Sequence, residues 1–213
     1  MISAAVLAAL IRTCSPALDV RTESAIVAVE SQGDSWAIHD PIRNRAVHPH
    51  SYAEAVKVAN ALIAEDAQHR GRGVAVGLAQ VLLPRPGLSA AAMLHPCSNL
   101  RASQAILVAA YSRQYRAVRA GSELEREQIA LRRAFSQYNS GSPTAAPEYV
   151  DRIMRALSSP LVEQTTAIAD GLGPSAPPSF ALPASAFARN STATPAPTAT
   201  PYVSSMFYAE RAQ

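Results

Sequence analysis

Glu30 has the strongest claim to acid chemistry in this chain, because the segment before it, Ala25-Ile26-Val27-Ala28-Val29, is apolar on every side. A carboxyl held against such a surface is costly to ionise. Its pKa is expected to rise, which keeps a proton available near neutral pH. Downstream, Gly77-Leu78-Ala79-Gln80-Val81 reads as a turn and Tyr138-Asn139-Ser140-Gly141 as a helix end. Gln80 brings both donors and an acceptor, and Tyr138 a hydroxyl, to whatever these segments face.

Other chemistries are weaker. His48-Pro49-His50 clusters with His39 and Asp40 in one loop, but no third ligand stands at a defined spacing, so neither a metal nor a cofactor is assigned. The Gly-x-Ser-x-Gly elbow of a serine hydrolase is missing. Asp34 and Asp40 read as solvent-facing, which leaves Glu30 without an obvious second carboxylate.

The elements that must position these groups are helices. The opening run from Ile2 to Ile11 reads as a first core helix ended by Pro16. It lacks the preceding positive charge and the cleavage site of a signal peptide, and Arg12 fits a lipoprotein site poorly. At this length it cannot span a bilayer, which needs roughly 20 apolar residues. Ser51-Tyr52-Ala53-Glu54 and Ser122-Glu123-Leu124-Glu125 are capping boxes. Behind the first, Tyr52, Ala55, Val56, Ala59, Leu62 and Ile63 keep one stripe. Behind the second, Leu124, Gln128, Leu131 and Phe135 bring Tyr138 onto the buried face. Asn99 is expected to cap a central helix through Leu107 and Val118, and Pro147 suits the first turn of a last helix through Tyr149, Ile153 and Leu157.

With 213 residues and 48% hydrophobic content, the chain can build one substantial core. The expectation is a mainly α domain over 1–158. A Pro/Ser/Thr/Ala-rich segment over 159–213 holds half of the 16 prolines and reads as a disordered tail, with Tyr202 to Tyr208 as a short docking motif or merely a sticky end. The net charge is +3, carried almost wholly by arginine, and shows no basic block of the kind that marks a nucleic-acid arm. Cys14 and Cys97, the only two cysteines, could pair across a long loop in an oxidising compartment or stay as two buried thiols.

Glu30-Ser31, Gly77-Leu78-Ala79-Gln80 and Tyr138-Asn139-Ser140-Gly141, in this order, resemble the three motifs of the lytic transglycosylases of lysozyme-like (SLT-type) fold. Within that family the chain is similar to the VirB1-type enzymes of type IV secretion and conjugation systems. That similarity runs through residues 26–38, Val76 to Val81, Pro96 to Ala102 and the early Cys14-Ser15-Pro16. The resemblance covers roughly residues 10–157 and implies a periplasmic enzyme without a cofactor, acting on peptidoglycan glycan strands. It also implies secretion-apparatus partners, reached through the tail.

On that resemblance Glu30 protonates the bridging glycosidic oxygen and then, as carboxylate, deprotonates the muramoyl C6 hydroxyl, leaving a 1,6-anhydromuramoyl end. A lone acid suits a reaction whose substrate carries its own nucleophile. Gln80, Tyr138 and Asn139 are the expected sugar-binding residues. Gly77 is expected to let the backbone approach the sugar, and Ser31 to steady the acid. Three features depart from the family pattern. Ala75 stands where a Ser is usual, Leu82 stands where the secretion-type relatives have Asn, and the loop from His39 to His50 is rich in Arg and His. A lysozyme-type hydrolase and a non-catalytic glycan-binding scaffold are the rival functions.

Overall fold

The computed structural model describes residues 1–69 and 71–172. Ser3 caps α1 (Ala4–Cys14), its hydroxyl accepting from the Val6 amide, and Asp19 caps α2 (Val20–Glu30) by accepting from the Arg21 and Thr22 amides. An N-cap oxygen satisfies donors that a helix start leaves open, so each cap fixes where its helix begins. For α2 the start matters, because eleven residues later the helix ends on Glu30.

A small antiparallel sheet follows, which the helical reading of the sequence did not foresee. Its strands are β1 (Ile38–Asp40), β2 (Arg45–Val47), β3 (Val74–Val76) and β4 (Val81–Leu83), in the spatial order β2-β1-β3-β4. Ile38 pairs with Val47 on one side and Val76 on the other, and Val76 pairs with Val81 across the turn that holds Gln80. Strands of three residues are too short to show alternation in sequence.

Helix α3 (Tyr52–His69) lies between β2 and β3. Ser51 accepts from the Glu54 amide, while the Glu54 carboxylate accepts from the His50 amide, one residue earlier than a capping box requires. Tyr52, expected on the buried stripe, is exposed and donates its hydroxyl to the Ala91 carbonyl in α4 (Ala90–Met93).

The remaining helices are α5 (Pro96–Ala117), α6 (Glu123–Ser140), α7 (Pro147–Ala156) and α8 (Pro160–Gly171). The box at Ser122 and Glu125 is complete, but Leu124 is exposed rather than part of the buried stripe. Asn99 does not cap α5. That helix starts at Pro96, and Asn99 is buried inside its first turns.

The expected domain end at residue 158 is too early. Helix α8 starts with Pro160, packs on α1 and α2, and buries Val162, Thr165 and Ala169. Proline and threonine lowered its apparent helicity, yet Pro at the first helical position forfeits no hydrogen bond. Arg12 donates to the Ala169 carbonyl and Arg21 to the Leu157 carbonyl, which fastens the helix and its approach to α1 and α2. The expected tail from 173 on, with its Tyr202 to Tyr208 segment, lies outside the described residues.

The core has three connected parts. Residues of α2, α5, α6, α7 and α8 form the largest, around Ile26, Leu131, Phe135 and Tyr149. The sheet with α3 and α4 forms the second. The third joins α1 to Val27, Leu78 and Leu100. Helix α2 thus buries one face against the bundle and another against α1, each large apolar side chain contributing about 1.5–3 kcal/mol. A disulfide joins Cys14 at the end of α1 to Cys97 at the start of α5, closing a loop with a sequence separation of 83. Among the described residues no helix is long and apolar enough to cross a membrane.

Candidate active site

A cavity of about 460 Å³ opens between the bundle and the sheet. Glu30 comes from the end of α2, Ala75 from β3, Gln80 from the turn before β4, Arg85 from the loop after it, Arg113 from α5, and Tyr138, Asn139 and Gly141 from the end of α6. The structure therefore brings Glu30, Gln80, Tyr138, Asn139 and Gly141 onto one lining.

Glu30 is 2% exposed and is the only carboxylate of that lining among the described residues. Its neighbour is Tyr149, fully enclosed in the first turn of α7. Burial, the charges of Glu30 and Tyr138, and a hydrogen bond to Glu30 push the Tyr149 phenol well above its usual range. A phenol that stays protonated can only steady the acid, not take its proton.

Gln80 has φ +47°, a left-handed backbone rare for a residue with a side chain. Its Nε2 donates to the Ala37 and Gly77 carbonyls, both at 2.9 Å, while Oε1 is buried without a hydrogen-bond partner among the described residues. Two carbonyls can only accept, so the atom facing them must be the amide nitrogen. The donors expected for a ligand are thus spent on the fold, and a single acceptor remains. Asn139 offers the converse, a buried Nδ2 with no partner among the described residues.

Tyr138 lies 2.7 Å from the Ala79 carbonyl oxygen and 3.2 Å from the Ser103 hydroxyl of α5. Behind Ser103 stands Glu23, on the same face of α2 as Glu30 two turns earlier, with no exposed surface. Burial raises the Glu23 carboxyl to about 8, and the Ser103 hydroxyl opposes that shift. Tyr138 is held well above 10 by burial first and then by the charges of Glu30 and Glu23.

Ser31 and Gly77 do not line the cavity. The Ser31 hydroxyl donates to the Leu78 carbonyl at 2.7 Å and accepts from the Gly33 amide, so it shapes the backbone behind the acid. Gly77, with φ +80°, faces inward, where a Cβ would overlap the Asn99 amide and come within 2.6 Å of the Met93 carbonyl. Its lack of a side chain serves packing on α4 and α5, not approach to a ligand.

Asp34 and Asp40 also stand away from the lining. Asp34 pairs with His48 at 2.7 Å and caps the Trp36 amide. Burial alone would raise the Asp40 carboxyl, but hydrogen bonds from Arg43 and the Ile42 amide hold it below its usual range. His39, buried beside Asp40, is lowered by desolvation, and His50 is exposed. Among the described residues no group of three or more His, Cys, Asp or Glu is arranged to hold a metal.

Sequence reading missed Glu23, Ser103, Tyr149, Arg85 and Arg113. Only Glu23 carried a signal, an acid in register with Glu30 along an apolar helix. Tyr149 stood in a stripe that reads as plain core.

The chain is similar to the protein virB1 of Rhizobium radiobacter, 33% identical over 134 residues that cover 62% of this chain and 51% of that protein. It is similar too to the type IV secretion system protein virB1 of Brucella abortus biovar 1, 34% identical over 156 residues, or 68% of this chain and 61% of that protein. The chain thus spans about half the length of the first of these relatives. No family model and no solved structure matches it.

Proposed function

We propose that this chain, a homologue of the VirB1 proteins, is a lytic transglycosylase of lysozyme-like fold. It would cleave the MurNAc-GlcNAc β-1,4 bond of peptidoglycan in the periplasm and open the wall locally for a type IV secretion or conjugation apparatus. The observation that carries this reading is the single enclosed carboxyl of Glu30 in a lining that holds no second carboxylate among the described residues.

Glycoside cleavage needs a proton on the leaving oxygen and support for an oxocarbenium-like transition state. Burial favours a protonated Glu30, which supplies that proton as the C1–O bond breaks. The resulting carboxylate then takes the proton of the C6 hydroxyl while O6 bonds to C1, and Glu30 returns to its starting form. No water is consumed, so the two products together have the mass of the substrate. The Gln80 Oε1 suits a hydroxyl or N-acetyl N–H of the sugar, and the Asn139 Nδ2 suits a sugar oxygen.

The test is mass spectrometry of muropeptides released from purified peptidoglycan by the native protein and by Glu30→Gln. Anhydro ends that vanish with Glu30→Gln are the expected result. Reducing ends would mean that water is the nucleophile, release independent of Glu30 would remove Glu30 as the acid, and no release would leave a glycan-binding scaffold.

A further inference from the structure

Both banks of the cavity change character in the same direction. On the sheet, Val74, Val76, Val81 and Leu83 turn into the core beneath, so Ala75 and Leu82, directly paired across β3 and β4, share the opposite face and line the cavity. Leu82 lies over Gly73, where a Cβ would come within 2.8 Å of its side chain, so this bank is packed rather than loose. Three residues after Leu82, the same bank carries Arg85. On the other bank α5 contributes Ile106, Ala109 and Arg113, whose spacings of three and four keep them on one helix face.

Depth orders the same chemistry. Glu30 is enclosed, Leu82 and Ile106 are half-buried, and Arg85 and Arg113 are exposed, without an ion pair among the described residues. The inner part is built for a ligand, because Gln80 and Asn139, each more than nine-tenths buried, keep a polar atom without a hydrogen-bond partner among the described residues. A ligand that fills the cavity from Glu30 outward thus meets polar groups, then apolar walls, then two cations.

The muramoyl residue of peptidoglycan carries matching groups outward from its ring: a lactyl methyl, the methyl of an alanine, then the carboxylates of a glutamate. Sugar hydroxyls would find no hydrogen-bonding side chain on Ala75 and Leu82, whereas methyl groups would leave water there at a gain. An unpaired guanidinium suits a carboxylate, which it can hold through two parallel N–H bonds.

We propose that the outer half of the cavity is a subsite for the stem peptide, with Leu82 and Ile106 against its methyl groups and Arg85 and Arg113 on its carboxylates, so that peptide-bearing strands are the preferred substrate. The inference rests on the peptidoglycan reading of this site and assigns it a substrate class.

The test is calorimetric binding to the full chain carrying Glu30→Gln, which is expected to hold ligand without turnover. The probes are the GlcNAc-MurNAc disaccharide with a free lactyl group, the same disaccharide bearing L-alanyl-D-glutamate, and that compound with both glutamyl carboxyls amidated. The acidic dipeptide compound is expected to bind several-fold tighter than either of the others. Adding Arg113→Gln, a change at an exposed side chain, should erase its lead over the amidated compound. Adding Leu82→Asn should weaken both dipeptide compounds and spare the peptide-free one. A peptide-free disaccharide that binds as tightly as the acidic compound, or an Arg113→Gln loss equal for all three probes, overturns the proposal. Peptide-dependent binding in a protein whose native form releases no glycan would keep this inference and refute the enzymatic reading. Glycan release by a protein whose binding ignores the peptide would do the reverse.

Discussion

The Tyr138 hydroxyl donates to the Ala79 carbonyl at 2.7 Å, which ties the end of α6 to the turn that carries Gln80. One hydrogen bond thus holds two parts of the lining in register. Replacing Tyr138 by Phe keeps the ring and removes this bond. The expected result is a loss of about 1 kcal/mol in denaturant unfolding, with a larger proportional loss in kcat than in stability. Equal kcat in Tyr138→Phe and the native protein would separate the turn from the chemistry.

Gly77→Ala is expected to be more damaging than its size suggests. The added Cβ meets the Asn99 amide and the Met93 carbonyl at a backbone angle of +80°, and neither neighbour is a free side-chain end. Strain and lost hydrogen bonds together should cost about 2–4 kcal/mol, read as a fall in the denaturation midpoint.

Glu23 gives stability an unusual slope with pH. Its carboxyl is raised from 4.5 to about 8 in the fold, so between those values the folded chain holds a proton that the unfolded chain has lost. Stability from this group is therefore full below about 4.5, falls as pH rises, and levels off above about 8. Glu23→Gln does not titrate. Relative to the native protein it should gain on the order of 3–5 kcal/mol at pH 8 over its value at pH 4.5, measured by urea unfolding at both pH values.

Reduction of Cys14–Cys97 should lower stability by about 2–4 kcal/mol, since the bond constrains a long loop of the unfolded chain. Thermal melts with and without reductant, beside a Cys14→Ser/Cys97→Ser chain, check this. Glycan cleavage at low temperature should survive reduction, because neither cysteine lines the cavity.

Among the described residues Arg85 and Arg113 are the only cations in the lining, and neither forms an ion pair there. Peptidoglycan stem peptides carry carboxylates, so Arg113→Gln is expected to raise KM several-fold for peptide-bearing strands and little for strands stripped of peptide. Added salt should have the same selective effect on the native protein.

The helices of this chain were legible because their signals are local: Ser122 and Pro147 mark starts, and apolar stripes mark faces. The sheet was not, because its strands gain their partners from segments distant in sequence and are too short to alternate. Helix α8 was hidden by composition, although Ser159 and Pro160 are a serviceable start. At the site, Glu30 stood out through its apolar run, and the other motif residues through their resemblance alone. That Gly77 and Ser31 serve the frame, and that Gln80 keeps only its oxygen free, depends on which backbone groups happen to face them. No pattern in one sequence encodes that.

The turn between β3 and β4 is gripped by three helices. Ser31 of the chain leaving α2 holds the Leu78 carbonyl, Asn99 of α5 holds the Val76 carbonyl and the Ala79 amide, and Tyr138 of α6 holds the Ala79 carbonyl. Like a plate resting on a tripod, such a turn has no soft direction in which to yield. On the proposed function, a sugar arriving beside Glu30 would meet a template rather than a hinge, and the bending needed for reaction would fall on the ring of the ligand.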